Sequence, residues 1–464
     1  MPRMKKHLYS IISLVAVLLL AACNPGKDGF SVDNTKPVSI ENRVIYQLNI
    51  GAFTQEGTFK AAEAQLARLD TLGADILWLM PIYPRGETMR SPYASMNFYD
   101  VNPAYGTVAD LKAFVAAAHE HGMKVWLDWV PNHVAVENPW VKEHPEYFTK
   151  DAKGQMIHPH GWGDVFELNY QDEGLVSQMN GALKFWVDSC DVDGFRCDYV
   201  SSPTIPVGYW QNIIAELKSK SGKTIEFLSE TDITNQYNNR IDSCGFDYDY
   251  AWDFQEDLVR KFGGEGTVAD SLKALCQKFL DASNSVKNRR MVYLTNHDQN
   301  YNDGGHTLKD FYGDNRYALS VLEFTLYGMP LIYQGQEIGD PDTLNYFNDA
   351  KVKWEQVDKK MQNTVRTLVA LHHTQPSLAA DAPVEFLSTN NQSVLAYRRG
   401  PVVVVLNLGT ASIEAQVQGI EDSHYTQWLN SETIADSPSA TDITLNEHTP
   451  ISLTAKGYAV YVKQ

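Results

Sequence analysis

From residue 44 onward, short apolar runs alternate with longer segments in which apolar residues recur every three to four positions. That rhythm predicts strands alternating with helices, and so a parallel sheet with helices over it. Eight runs have the composition of strands: VIYQLNI from Val44, ADILWLM from Ala74, KVWLDWV from Lys124, VDGFRCD from Val192, TIEFLSE from Thr224, FDYDYAW from Phe246, MVYLTN from Met291 and MPLIYQG from Met329. Between the first two, Phe59, Ala62, Leu66 and Leu69 share one helical face, with Thr58 placed to cap its start and Gly73 to end it. Eight parallel strands with crossover helices suit a closed (β/α)8 TIM barrel better than an open doubly wound sheet, and no GxGxxG turn follows the first strand.

Two stretches depart from the rhythm. Residues 134–171, between the third and fourth runs, have little helical periodicity and contain the loop-like HPHGWGD, which predicts a small insertion in the barrel. Met361, Val365, Leu368 and Leu371 mark a last helix that Pro376 stops, so the barrel is assigned to residues 43–375. Beyond it, SVLAYRR, PVVVVLNL and GYAVYVK predict a C-terminal antiparallel β-sandwich over residues 376–464.

The N-terminus reads as an export signal. Arg3, Lys5 and Lys6 precede the apolar stretch Leu8–Ala22, which is short for a membrane span. Leu20-Ala21-Ala22-Cys23 resembles the lipobox of bacterial lipoproteins, which implies cleavage after residue 22, lipid on the sulfur of Cys23, and a place in the cell envelope, anchored to a membrane, expected to be the outer one. Residues 23–42 are polar and punctuated by Pro and Gly, the composition of a tether reaching at most ~65 Å. The other cysteines, Cys190, Cys197, Cys244 and Cys276, lack metal-type spacing and are expected as buried thiols.

Composition narrows the function. Lys plus Arg total 39 against 57 Asp plus Glu, a net charge of −18, which argues against a nucleic-acid partner. With 44% hydrophobic and 21% charged residues, the chain is neither disordered nor a multi-span membrane protein.

In such barrels, groups that do chemistry sit where strands end. Here the third run ends in Asp128, Asn132 and His133, the fourth in Arg196 and Asp198, the fifth in Glu230, and the seventh in His297 and Asp298. Carboxylates from several strands, with Arg and His among them, form a costly cluster of the kind found at functional sites. DWVPNH (128–133), GFRCD (194–198), the glutamate of LSETD (228–232) and NHD (296–298) resemble the conserved regions of glycoside hydrolase family 13, the α-amylase family. SPYASMNFYDVNPAYGT, FELNY and MPLIYQGQEIG are similar as well, so the resemblance runs over about residues 44–340.

The resemblance implies cleavage of α-1,4-glucosidic bonds in starch or maltooligosaccharides with retention of configuration. It makes Asp198 the nucleophile, Glu230 the acid/base and Asp298 the third carboxylate, with Tyr93, Asp128, His133, Arg196 and His297 binding substrate. Neopullulanase, α-glucosidase and glucanosyltransferase activities are alternatives within the family, and a non-catalytic glucan-binding lipoprotein is one outside its chemistry. Charge from two carboxylates is expected to raise Glu230, and Arg196 to keep Asp198 ionised.

Some positions depart from the family pattern. Ser201 and Ser202 replace a frequent Lys-His pair, Ser91 a His, and Asn97 and Glu167 stand where Asp is common. No cofactor is expected. Calcium remains an alternative, since Asn132 matches one of its ligands in the family while the His ligand is missing. His158, His160 and Trp162 are either a sugar subsite or a solvated loop; Trp126, Trp129 and Cys197 are expected as packing, and His119 and His121 at a helix C-terminus.

Overall fold

The computed structural model describes residues 32–464 except 221, 232–242, 261–268, 286–288, 303–304, 380–381 and 433–440. Its centre is a closed barrel of parallel strands: β1 (Ile45–Leu48), β2 (Ile76–Leu79), β3 (Lys124–Trp129), β6 (Gly194–Cys197), β7 (Glu226–Ser229), β8 (Tyr248–Tyr250), β9 (Arg289–Val292) and β10 (Met329–Tyr333), which returns to β1. Each apolar run supplies one strand, although β9 begins at Arg289, ahead of the run that predicts it. The intervening β4 (His133–Ala135) and β5 (Val165–Glu167) pair antiparallel and carry the insertion.

Strand alternation divides the core in two. Ile76, Trp78, Trp126, Leu228, Tyr250, Met291, Tyr293 and Leu331 fill the barrel interior, while Leu77, Leu127, Trp129, Phe195 and Cys197 belong to the layer beneath the helices. Large rings inside a narrow barrel require a small residue opposite. At Gly194 a Cβ would lie 2.3 Å from the Glu226 carbonyl oxygen and 2.7 Å from the Trp126 ring.

The helices begin and end on local signals. The Thr58 side chain accepts from the Ala61 N–H, and Gly73 closes the segment at φ 94°, with an interruption between Phe59–Glu63 and Leu66–Leu72. Val108–Glu120 opens with a Thr107/Asp110 capping box, and near its other end His119 meets Asp193 at 2.8 Å and His121 meets Asp70 at 3.1 Å. Lys359–Thr374 closes the barrel with Met361, Val365, Leu368 and Leu371 buried.

The segment read as a tether is part of the folded body from Val32 onward. Arg366 Nε binds Asp33 at 3.1 Å, the Val38 N–H donates to the His373 carbonyl at 2.9 Å, and Asn42 Nδ2 donates to the His372 carbonyl at 2.8 Å. Those carbonyls lie in the last turn of Lys359–Thr374, where a helix has no partners of its own to offer, so the incoming chain supplies them. Cys23 and residues 1–31 lie outside the described residues.

The C-terminal part has two layers. A six-stranded antiparallel sheet is formed by β11 (Glu385–Leu387), β12 (Val394–Arg399), β13 (Val402–Asn407), β18 (Tyr458–Lys463), β15 (Ser423–Asn430) and β16 (Thr441–Leu445), in that order. One face, with Tyr397, Val404 and Tyr458, joins the barrel's outer core. The other, with Ala396, Val405 and Tyr461, is covered by β14 (Ile413–Ala415) and β17 (Ile451–Leu453). The four cysteines from Cys190 to Cys276 are buried. Among the described residues no helix is long and apolar enough to cross a membrane.

Gly194→Ala forces a methyl group into the Trp126 ring and a strand carbonyl. It is expected to cost about 1–3 kcal/mol, read as a lower melting temperature and urea midpoint.

Candidate active site

Asp198 and Glu230 extend β6 and β7 by one residue each. The Asp198 N–H donates to the Trp129 carbonyl at 2.8 Å and the Glu230 N–H to the Cys197 carbonyl at 2.9 Å. Because Cys197 pairs with Ser229 in register, Asp198 and Glu230 come side by side on neighbouring strands, which run ~4.8 Å apart. Asp128 pairs with Arg196 across β3 and β6 in the same way.

Arg196 sits among them with no solvent exposure. Its Nη1 lies 2.8 Å from both Asp128 Oδ1 and Asp198 Oδ1, its Nη2 lies 2.5 Å from Glu230 Oε1, and its Nε donates to the Tyr250 hydroxyl at 3.0 Å. The Trp78 ring faces the guanidinium at 5.1 Å. Burial pulls the arginine down, but the acidic groups around it, Asp128 first, outweigh burial and push it well above its ordinary value.

One cation among several carboxylates leaves negative charge uncompensated. Glu230 is pushed well above the usual glutamate range, first by burial and then by Asp198 and Asp298, against the opposing pull of Arg196. Burial thus contributes more than the neighbouring charge that sequence reasoning stressed. Burial also pushes Asp128 up to about 7.

A hydrogen-bonded chain connects this cluster to the histidines. The Gln47 side-chain amide meets His297 Nδ1 at 2.8 Å, His297 Nε2 meets the Tyr93 hydroxyl at 2.7 Å, and that hydroxyl donates to Asp128 Oδ2 at 3.1 Å. Trp78 Nε1 donates to the same oxygen at 3.1 Å. With the Tyr93 proton directed to Asp128, His297 carries its own on Nε2 and accepts at Nδ1 from the Gln47 amide. Burial lowers His297 to about 4 and lowers His133 as well, so both are neutral imidazoles at pH 7. Asp298 Oδ2 lies 3.4 Å from His297 Nε2.

A cleft of ≈ 1350 Å³ opens over the cluster, and Tyr93, His133, Asp198, Glu230, His297 and Asp298 all line it. Asp128 and Arg196, expected among the sugar-binding residues, instead lie buried beneath its wall, spent on one another and on the carboxylates. The insertion divides as well. His160 and Trp162 line the cleft, while His158, exposed and outside its lining, holds the loop, its Nδ1 2.9 Å from the Val165 carbonyl.

Sequence reasoning missed Gln47, Trp78, Tyr250 and Tyr199. The first three read as strand packing, and a polar residue within the apolar run VIYQLNI was the available signal for Gln47. Tyr199 adopts φ 42° and donates its backbone N–H to Glu230 Oε2 at 2.7 Å. No sequence pattern announces that.

The Asn132 side-chain oxygen is buried without a hydrogen-bond partner, yet among the described residues no group of three or more His, Cys, Asp or Glu is placed to hold a metal. Ca2+ takes about six to eight oxygens, from carboxylates, amide and backbone carbonyls and water.

A profile described as the alpha amylase catalytic domain matches residues 31–167 and 161–376, well over half of the chain. The chain belongs to the alpha-amylase family. It is 28% identical over 394 residues to alpha-amylase MalA of Haloarcula japonica, covering 81% of this chain and 56% of that protein. It is 29% identical over 350 residues to malto-oligosyltrehalose trehalohydrolase of Saccharolobus solfataricus, covering 68% of this chain and 60% of the relative. The chain therefore spans little more than half the length of these two relatives. Among solved structures, a noncanonic maltogenic alpha-amylase AmyB from Thermotoga neapolitana superposes with a TM-score of 0.74 at 23% identity, over 92% of this chain and 99% of that one. An alpha-amylase from Lactobacillus plantarum gives 0.73 at 25% identity, over 91% and 99%. These likenesses assign the barrel and C-terminal sheet to the family's fold.

A carboxyl whose pKa is higher in the folded than in the unfolded state opposes folding once pH exceeds the unfolded value, and the effect vanishes at lower pH, where both states are protonated. Glu230→Gln in this alpha-amylase family member is therefore expected to raise the melting temperature at pH 7 by about 1–3 °C. The gain should disappear as pH falls below ~4.3, the ordinary glutamate value, which calorimetry across pH checks.

Proposed function

We propose that the protein is a retaining glycoside hydrolase that cleaves α-1,4-glucosidic bonds in starch, maltodextrins or maltooligosaccharides. The observation that carries this reading is the placement of Asp198 and Glu230 in register on adjacent strands, bridged by one guanidinium, at the floor of a cleft. Neighbouring parallel strands suit the ~5–5.5 Å separation of a retaining pair better than the ~6.5–9.5 Å that leaves room for water.

In this reading Asp198 attacks the anomeric carbon while Glu230, kept protonated by burial and by negative neighbours, gives its proton to the departing glycosidic oxygen. Glu230 then takes a proton from water, which displaces Asp198 and releases a product of unchanged configuration. Asp298 faces the positive charge that develops on the sugar ring. The neutral imidazoles of His133 and His297 bind hydroxyls without adding a cation, and Tyr93, fixed by His297 and Asp128, presents its ring edge-on to Tyr346 in the same wall. Glucanosyl transfer shares the glycosyl-enzyme and differs in having a sugar hydroxyl arrive in place of water. Trp162, 45% exposed at the cleft, is the feature that favours a bound acceptor sugar.

Maltoheptaose followed by proton NMR is expected to give short α-maltooligosaccharides first. Asp198→Asn should slow their release by on the order of 10³-fold or more. Binding of maltoheptaose by wild type without turnover would replace this reading with that of a glucan-binding lipoprotein.

We also propose that the protein is held at a bacterial envelope membrane by lipid on Cys23. The support is the basic residues before Leu8–Ala22 and the LAAC junction. Labelled palmitate should enter the wild-type protein and co-sediment with membranes, and Cys23→Ser should abolish both.

A further inference from the structure

On one wall of the cleft the insertion touches the residue after Asp198. The Tyr199 hydroxyl lies 3.0 Å from His160 Nε2 and the two rings meet edge to face at 5.2 Å. Trp162 adjoins the His160 side of this contact, its ring 4.8 Å from that of His160, and lies 5.5 Å from the ring of His133. Both partners have uncommon backbones. Tyr199 stands at φ 42° and His160 at φ 53°, in the left-handed region that bulky residues rarely occupy and that persists only where the surroundings enforce it. His158 supplies part of that enforcement by binding the Val165 and Trp162 carbonyls.

The conformation of Tyr199 has a chemical consequence. It turns the Tyr199 N–H onto Glu230 Oε2 at 2.7 Å, while Arg196 Nη2 holds Oε1 at 2.5 Å. Both oxygens of the carboxyl are thereby anchored and its rotation is restricted. Each oxygen keeps a further lone pair for the transferable proton. A line of contacts thus runs from the insertion loop through His160 and Tyr199 to Glu230, independent of the arginine.

We propose that Tyr199 is a positioning residue for Glu230, locked by His160, so that the loop over residues 158–163 sets how well the acid/base is aimed at the leaving oxygen. This rests on the hydrolytic reading above. Losing the hydroxyl-to-imidazole contact lets Tyr199 relax from its enforced φ and withdraws the N–H from Oε2. The harm depends on how much the leaving group needs a proton. A sugar alkoxide leaves poorly without one, whereas fluoride leaves as an anion with little help from an acid.

The test compares kcat/KM on maltoheptaose with kcat/KM on α-maltosyl fluoride for wild type, Tyr199→Phe, His160→Ala and the double variant. His160 is exposed, so its replacement leaves the fold in place. The ratio of the two constants is expected to fall by on the order of ten-fold in each single variant. The double variant should fall little further, because both changes break one contact. The alkaline limb of the maltoheptaose pH profile should move with the ratio. Equal losses on both substrates, or an unchanged ratio in both single variants, would overturn the proposal. Wild type inert on both substrates would instead overturn the hydrolase reading on which it rests.

Discussion

The buried guanidinium of Arg196 is the constraint around which the site is organised. Removing a charge from water costs several kcal/mol even after relaxation, and is tolerated only when partners are placed with good geometry. Here the partners come from neighbouring strands: Asp128 from the β3 register, Asp198 and Glu230 just past β6 and β7, and Tyr250 from β8. These partners reach the arginine only if the barrel is closed in this register. Closing it also brings together more negative groups than one cation can neutralise, and Glu230 is pushed well above the usual glutamate range. Glu230 becomes an acid as a consequence of the same packing that keeps Arg196 charged.

The layers around that cluster serve its precision. Below it, aromatic side chains fill the barrel, with Gly194 admitting Trp126, and little freedom is left for the strands to shift. Beside it, the chain from Gln47 through His297 and Tyr93 to Asp128 orients both rings and selects the tautomer of His297. Away from the cleft, residues 32–42 complete the last turn of the closing helix, and the C-terminal sheet buries one face in the same outer core.

Much of this was legible in the sequence because strand alternation is a strict rule. Arg196 and Asp198, two apart in GFRCD, had to face the same side, and Cys197 the other. The strand ends of a parallel barrel converge on one rim, so DWVPNH, LSETD and NHD pointed to one place once the fold was read. Thr58, Gly73 and Pro376 marked helix boundaries through their own backbone chemistry. The tether reading fails for residues 32–42 because polarity and Pro/Gly content describe a segment's solubility, and carry no information about the carbonyls of His372 and His373 that these residues meet.

The sequence by itself determined the barrel, its carboxylates and the rim they share, since these follow from periodicity and from residue types at strand ends. Only the tertiary structure decided which of those groups reach the cleft and which lie beneath it. Gln47 lies 250 positions from His297, and meets it because β1 closes against β10, next to β9. His160 meets Tyr199 because the insertion folds back onto the residue after Asp198. Protonation follows the same division. A carboxyl's chemical type is written in the chain, while its burial and its neighbours exist only after the strands have closed.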